Sequence, residues 1–230
     1  MSSGRALLDA ARAVVPGLDG RLLLVPKGVS LPARDRRFEL RRAAGLPRDA
    51  IVFFLPAGLR AVKDPLFALE PLLRLRRREP RVAFVHAGED LEAGIAESLL
   101  AWERCETWVR SLGSLPFARM AEAYAGASVV LNTSRSEGLA NVPFEAMLAG
   151  RAVLASDIPA NREIVRHGRT GLVYRTGDPE SFLRAAARLA GDPALRRRLG
   201  SAGRREVLAC CTPRAEARAV AEAYRSVLSA

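Results

Sequence analysis

Two carboxylates and two cations stand where chemistry could be done. Glu137 and Glu145 are separated by seven residues, in a run from Thr133 to Met147 where small, polar residues lead into an apolar stretch. Pro143 suits a first helical turn, where its missing N–H costs nothing. A helix starting near Asn141 or Val142 would aim the N–H groups of Gly138, Leu139, Ala140 and Asn141 at a ligand, and its dipole would favour an anion. Carboxylates beside such a cradle repel phosphate but can accept both protons of a vicinal diol, so sugar and ribose are their natural partners. The alternative is a helix-start acid at Glu137 and a solvated helix residue at Glu145. Gly58, Arg60 and Lys63 form the second group. Gly58 permits an unusual backbone turn. Arg60 offers bidentate hydrogen bonds and Lys63 a compact charge, a pair suited to two phosphates. The alternative here is a solvated loop.

Continuous apolar runs, expected of strands buried on both faces, fall at residues 21–25, 51–56, 82–87, 107–112, 128–132, 152–156 and 172–174. Amphipathic helical patterns at 64–77, 91–103, 117–125, 142–149 and 179–190 lie between them. This alternation predicts an α/β fold, a doubly wound parallel sheet covered by helices. Ligands of such sheets bind beyond the carboxyl ends of the strands. The loops 57–63, 88–90, 113–116, 133–141 and 157–161 therefore matter most. Residues 2–15 read as a helix ending at Pro16, and 193–209 and 213–228 as a helical tail. A doubly wound domain requires neither end.

Composition narrows the function classes. The 230 residues suffice for a real core, and 49% are hydrophobic. No apolar stretch approaches the roughly 20 residues that span a bilayer, and no leader pattern opens the chain, so a cytoplasmic protein without a membrane span is expected. The net charge of +11 favours a polyanionic ligand. All but Lys27 and Lys63 of the 36 basic residues are arginines, spread over solvated helix faces, and aromatics make up 6%. That is too few for a base-stacking platform, so nucleic acid is not the expected partner. Cys105, Cys210 and Cys211 have no metal-ligand spacing. His86 and His167 read as structural or exposed. No Gly-x-Gly-x-x-Gly follows a strand, which argues against NAD, and no Asp-x-Asp is present to bridge a metal to a diphosphate.

The chain resembles the C-terminal domain of the family 4 retaining glycosyltransferases (glycosyl transferases group 1), whose GT-B fold has two Rossmann-like domains. The resemblance rests on Glu137 and Glu145 at the family's spacing, on Glu145-Ala146-Met147-Leu148-Ala149-Gly150, and on Val153 to Pro159. Leu24 to Val29 at the entry and His167 to Val173 at the close also match, and coverage runs from about residue 20 to 228. Gly58 to Pro65 is most similar to the glycosyltransferase 1 domain-containing proteins of animals. The resemblance implies transfer of a hexosyl group from a nucleoside-diphosphate sugar with retention, without cofactor or metal, to an acceptor the sequence does not reveal. It implies that Lys63 and Arg60 bind the diphosphate, Glu137 faces the sugar and Glu145 holds the ribose. Gly138 and Leu139 would complete the cradle beside Gly58, and Gly113 and Leu115 would border the base. It divides the chain into a remnant helix or linker of an acceptor domain (1–20), a nucleotide-sugar-binding domain (21–192) and a helical tail (193–230). Donor binding with little transfer, and self-association through an exposed domain-junction surface, are then expected of this chain. Two positions depart from the family pattern: Leu59 stands where an arginine is common, and Ala140 where a second glycine is. The catalytic-cleft histidine of the family has no counterpart.

Overall fold

The computed structural model describes residues 4–15, 17, 22–33 and 37–228. Six strands form one parallel sheet: β1 (Ile51–Pro56), β2 (Val82–Ala87), β3 (Val109–Ser111), β4 (Val129–Asn132), β5 (Ala152–Ser156) and β6 (Leu172–Tyr174). Their order is β3-β2-β1-β4-β5-β6. Phe53 of β1 pairs with Phe84 on one side and Val129 on the other, which fixes the register of the centre. Every residue of β1, β2, β4 and β5 is buried, so these strands show no polar alternation.

The helices are α1 (Arg5–Val14), α2 (Leu40–Ala43), α3 (Leu69–Arg76), α4 (Ile95–Cys105), α5 (Phe117–Gly126), α6 (Asn141–Leu148), α7 (Pro159–Ile164), α8 (Pro179–Gly191), α9 (Pro193–Cys210) and α10 (Pro213–Leu228). Successive strand side chains point to opposite faces, which divides the core. Phe53, Leu55 and Leu131 pack with Leu72, Leu99 and Phe182 from α3, α4 and α8. Phe54, Val85 and Val130 pack with Leu40, Tyr124 and Met147 from α2, α5 and α6. The doubly wound parallel sheet is therefore observed, with helices on both faces.

Several boundaries differ from the expectation. The run 21–25 is not a sheet strand: Arg21 lies outside the described residues, and 22–25 carry one isolated bridge residue, Leu24. Its continuation packs on the helical tail instead, where the Val29 N–H donates to the Cys211 carbonyl at 2.9 Å. Gly28 passes so near α10 that a Cβ there would meet Pro213 Cα at 2.8 Å. The helix expected over 64–77 begins only at Leu69, because Asp64 adopts a left-handed conformation (φ 45°) and turns intervene. Gly94, at φ 86°, likewise delays α4 to Ile95. The short helices α2 and α7 carry too few turns to show a period. Of the helix expected over 2–15, Ser2 and Ser3 lie outside the described residues, as does Pro16. The helix α9 packs onto α6 and β5, so close that a Cβ on Gly200 would meet the Gly150 carbonyl oxygen at 2.2 Å.

Candidate functional site

Strand order reverses between β1 and β4, which leaves a crevice at their carboxyl ends. A cavity of about 260 Å³ occupies it, lined by Gly58 and Lys63 after β1 and by Asn132, Ser134, Glu137 and Leu139 after β4. The Lys63 ammonium lies 2.9 Å from Glu137 Oε2, with the Glu137 side chain 8% exposed. The other oxygen, Oε1, accepts from Ser134 Oγ at 2.6 Å and from Asn132 Nδ2 at 3.0 Å. Asn132 is held in turn: its Oδ1 accepts from the Ser134 N–H at 3.1 Å and from Asn161 Nδ2 at 3.2 Å. Asn161 also donates to the Ser156 carbonyl at 3.0 Å. Buried polar groups behind Glu137 thus reach from β4 to α7, and fixed donors of this kind favour a carboxylate in one orientation.

The loops after β1 and β4 are joined directly. Thr133 Oγ1 donates to the Lys63 carbonyl at 2.7 Å, and the Arg135 N–H to the Val62 carbonyl at 2.8 Å. Arg135 Nε meets Asp64 Oδ2 at 2.8 Å. Asp64 tolerates its left-handed backbone better than most residues with a Cβ. Gly58 does not use a positive φ, which corrects the turn expected there. Its requirement is space, because a Cβ would stand 2.6 Å from Leu91 Cδ1.

Glu145 lies on the wall of a second cavity of about 350 Å³, shared with Gly58, Leu115, Met120, Tyr124 and Val142. The Tyr124 hydroxyl donates to Glu145 Oε2 at 2.6 Å. Burial raises the Glu145 carboxyl above its ordinary pKa, opposed by the Tyr124 hydrogen bond and by the charge of Lys27. Burial, then the Glu145 charge, pushes the Tyr124 phenol well up, so it stays a neutral donor.

Lys63, Glu137, Gly58 and Leu139 are thus brought together, with Glu145 and Leu115 in the adjoining cavity. Arg60 is exposed and lies outside the lining of both, as does Gly138. Gly113, at φ 60°, lines a neighbouring cavity with Ser111 and Ser114. His86 is structural: Nε2 donates to the Ala57 carbonyl at 2.8 Å and Nδ1 accepts from Ser111 Oγ at 3.0 Å. Burial lowers its pKa, consistent with a neutral ring. Asp157 is occupied by Thr176 and Arg162. Sequence reasoning passed over Asn132, Ser134, Tyr124 and Asn161. For the first two the signal was present, since polar residues directly follow an apolar strand. Tyr124 and Asn161 gave none, because their partners are remote in the chain. Among the described residues no three His, Cys, Asp or Glu side chains converge as a metal site, and no helix is long and apolar enough to cross a membrane.

A model of the family described as "Glycosyl transferases group 1" matches residues 49–192, which include both cavities' glutamates and Lys63. The chain belongs to the group 1 glycosyl transferases. Glycosyltransferase 1 domain-containing protein 1 of Xenopus tropicalis is 31% identical over 156 residues, covering 68% of this chain and 45% of that protein. A D-inositol 3-phosphate glycosyltransferase of Streptomyces avermitilis is 29% identical over 224 residues, covering 92% and 48% respectively. The chain therefore spans about half the length of these curated relatives. Anabaena HepE, solved in complex with UDP and glucose, superposes with a TM-score of 0.83 at 19% identity, over 98% of this chain and 62% of its own. The C-terminal domain of a glycosyl transferase group 1 family protein from Francisella tularensis aligns over 96% of its own length and 80% of this chain, with a TM-score of 0.67 at 18% identity. The fold of this group 1 glycosyl transferase chain is thus that of a GT-B domain. Its crevice combines one ammonium, a helix amino end and two carboxylates, so it can hold an anion with a hydroxyl acceptor on each side.

Proposed function

We propose that this chain is the donor-binding domain of a family 4 retaining hexosyltransferase, taking a nucleoside-diphosphate sugar without metal or cofactor, in the cytoplasm. The observation that carries the reading is the Lys63–Glu137 pair at the β1/β4 crevice, with Glu145 one helix turn into α6. In this reading Lys63 and the amino end of α6 bind the diphosphate and stabilise it as it leaves. Glu137, oriented by Asn132 and Ser134, accepts hydroxyl protons from the sugar, and Glu145 from the ribose. Gly58 lets the loop after β1 approach, and Leu139 and Leu115 add apolar walls for the donor. Arg60, exposed in the free chain, would reach the diphosphate only by turning inward. Gly138 supports the cradle through its backbone, and Gly113 borders the base. The UDP held by Anabaena HepE, a structure of the same fold, supports a nucleoside diphosphate as the ligand. Residues 21–192 make up the donor domain, with 193–230 as its helical tail and 1–20 as a linker to an acceptor domain.

Calorimetric titration with UDP, in the presence and absence of chelator, tests the reading. Binding should persist in chelator. Lys63→Ala should cost about 1.5–3 kcal/mol for UDP, the range of hydrogen bonds to charged groups, and leave uridine unaffected. Loss of binding in chelator would sink the metal-free mechanism, and equal losses for UDP and uridine would sink the role of Lys63.

A further inference from the structure

At the amino ends of the strands, the end of the sheet opposite the crevice, lies a cavity of about 200 Å³. Four arginines line it, Arg41, Arg151, Arg196 and Arg197, beside Gly126 and Gly150, and no acidic residue does. On the solvated faces arginines meet acids, as in the pairs Arg135–Asp64, Arg162–Asp157 and Arg166–Glu206. Among the described residues, Arg41, Arg196 and Arg197 form no ion pair. We infer that this cavity is an anion site, separate from the crevice, that takes the phosphate group of a phosphomonoester or of inorganic phosphate.

The guanidinium groups are held in place by uncharged acceptors, so their charge is fixed but not neutralised. Arg41 donates through Nε to the Ala50 carbonyl at 3.1 Å, through Nη1 to the Gly126 carbonyl at 2.6 Å and through Nη2 to Ser128 Oγ at 3.2 Å. A guanidinium carries five N–H donors, so two of them remain. Arg196 Nη1 closes the carboxyl end of α8 by donating to the Leu189 and Ala190 carbonyls. Its Nε and Nη2 have no acceptor among the described residues. Arg151 Nη1 reaches the Ala127 carbonyl at 3.5 Å. Arg196 and Arg197 also stand near the amino end of α9, where the helix dipole disfavours cations.

Like charges gathered in a half-buried recess repel unless an anion joins them. Burial and then the charge of Arg81 hold the Arg196 pKa below its ordinary value, opposed by Asp192, while Arg197 and Arg41 lower it further. Burial lowers Arg41 as well, opposed by Glu39. Neither acid answers the cluster by contact: Asp192 Oδ1 accepts from the Leu195 N–H as the cap of α9, and Glu39 lies outside the lining. A carboxylate brings one charge and two coplanar oxygens, which a single guanidinium satisfies. A phosphomonoester brings about −1.5 to −2 and three acceptor oxygens that point in different directions, which matches several arginines from different elements. The lining holds no aromatic ring on which a nucleobase could stack.

Titration of the chain with inorganic phosphate, followed by backbone amide NMR against sodium chloride of equal ionic strength, tests the site. The amides of Gly126, Ala127, Ser128, Gly150 and Arg151 should shift saturably, and should do so equally in Lys63→Ala, which removes the ammonium of the crevice. Arg196→Gln should weaken phosphate there by about tenfold or more, and Arg197→Ala by about two- to fivefold. The Arg197 side chain makes no bond to a described residue, so that variant keeps the test sound if Arg196→Gln lowers the thermal midpoint. Shifts that chloride reproduces, that vanish in Lys63→Ala, or that neither arginine substitution weakens would overturn the inference. Sedimentation with phosphatidylcholine vesicles then identifies the source of the phosphate. Binding when the vesicles carry phosphatidic acid, a monoester, but not phosphatidylglycerol, a diester, and its loss in Arg197→Ala, would assign the site to a lipid headgroup. No binding, or equal binding to both, alongside saturable phosphate shifts would assign it to a soluble phosphate.

Discussion

At the scale of the residue, the site is a balance between Lys63 and Glu137. In the free chain the ammonium is already paired, so a diphosphate bound as proposed would have to share it. Glu137→Gln keeps the bulk and an acceptor for Ser134 but releases that charge. It should tighten UDP by about 1 kcal/mol, roughly fivefold, as expected of a partly exposed ion pair. If Glu137 faces the sugar as proposed, turnover in a complete enzyme should fall at the same time, because the sugar loses its charged acceptor; weaker UDP binding in calorimetry would contradict this balance. Glu145 makes a different prediction. Its folded pKa lies above the ordinary carboxylate value. Between those two pH values the folded chain keeps a proton that the unfolded chain has released, so stability falls as pH rises through the window. Glu145→Gln should therefore raise the thermal midpoint at pH 8 and give no gain at pH 4. A destabilised variant at pH 8 would mean that the carboxylate contributes more through its contacts than burial costs it.

At the scale of the element, the strands were the most legible feature. Residues 51–56, 82–87, 152–156 and 172–174 fall on strands with unchanged bounds, because burial on both faces leaves a continuous apolar signature. The run at 21–25 has the same signature, but its continuation packs on the helical tail, which periodicity does not distinguish from a ladder. Glu137, Lys63 and Gly58 could be picked out because they closely follow strand ends, and Glu145 because it falls in the helix that comes next. The groups that orient them could not, since Tyr124 lies 21 residues from Glu145 and Asn161 lies 29 from Asn132. One unforeseen element, α2, owes its place to Arg41. That guanidinium donates to the Ala50 and Gly126 carbonyls and to Ser128 Oγ, tying α2 to the amino ends of β1 and β4. Arg41→Ala should cost about 3 kcal/mol in urea unfolding, from the loss of several charge-assisted bonds; a loss below about 1 kcal/mol would show that water replaces them.

At the scale of the whole molecule, the sheet domain is well enclosed while its terminal helices are not. Tyr224, Val227 and Leu228 of α10 are 59%, 67% and 85% exposed, and Val14 of α1 is 78% exposed. Exposed apolar positions of this kind suit a further surface, a second copy or another domain. In the proposed reading the crevice residues form one side of a GT-B cleft, and transfer would need a second wall to exclude water and align the acceptor. The chain should therefore bind UDP-sugars yet show no multiple turnover with a broad acceptor mixture. Multiple turnovers by a chain that sediments as a monomer would overturn that expectation. The direct bonding between the loops after β1 and β4 bears on the same cycle. Thr133 and Arg135 clasp the backbone of Val62 and Lys63 before any ligand arrives, so the conformational entropy of ordering those loops is lost on folding and not on association. A clasp already closed in the empty state would have to break two bonds to open for a nucleotide. In the proposed reading, the tempo of nucleotide exchange would then be set away from the phosphate loop.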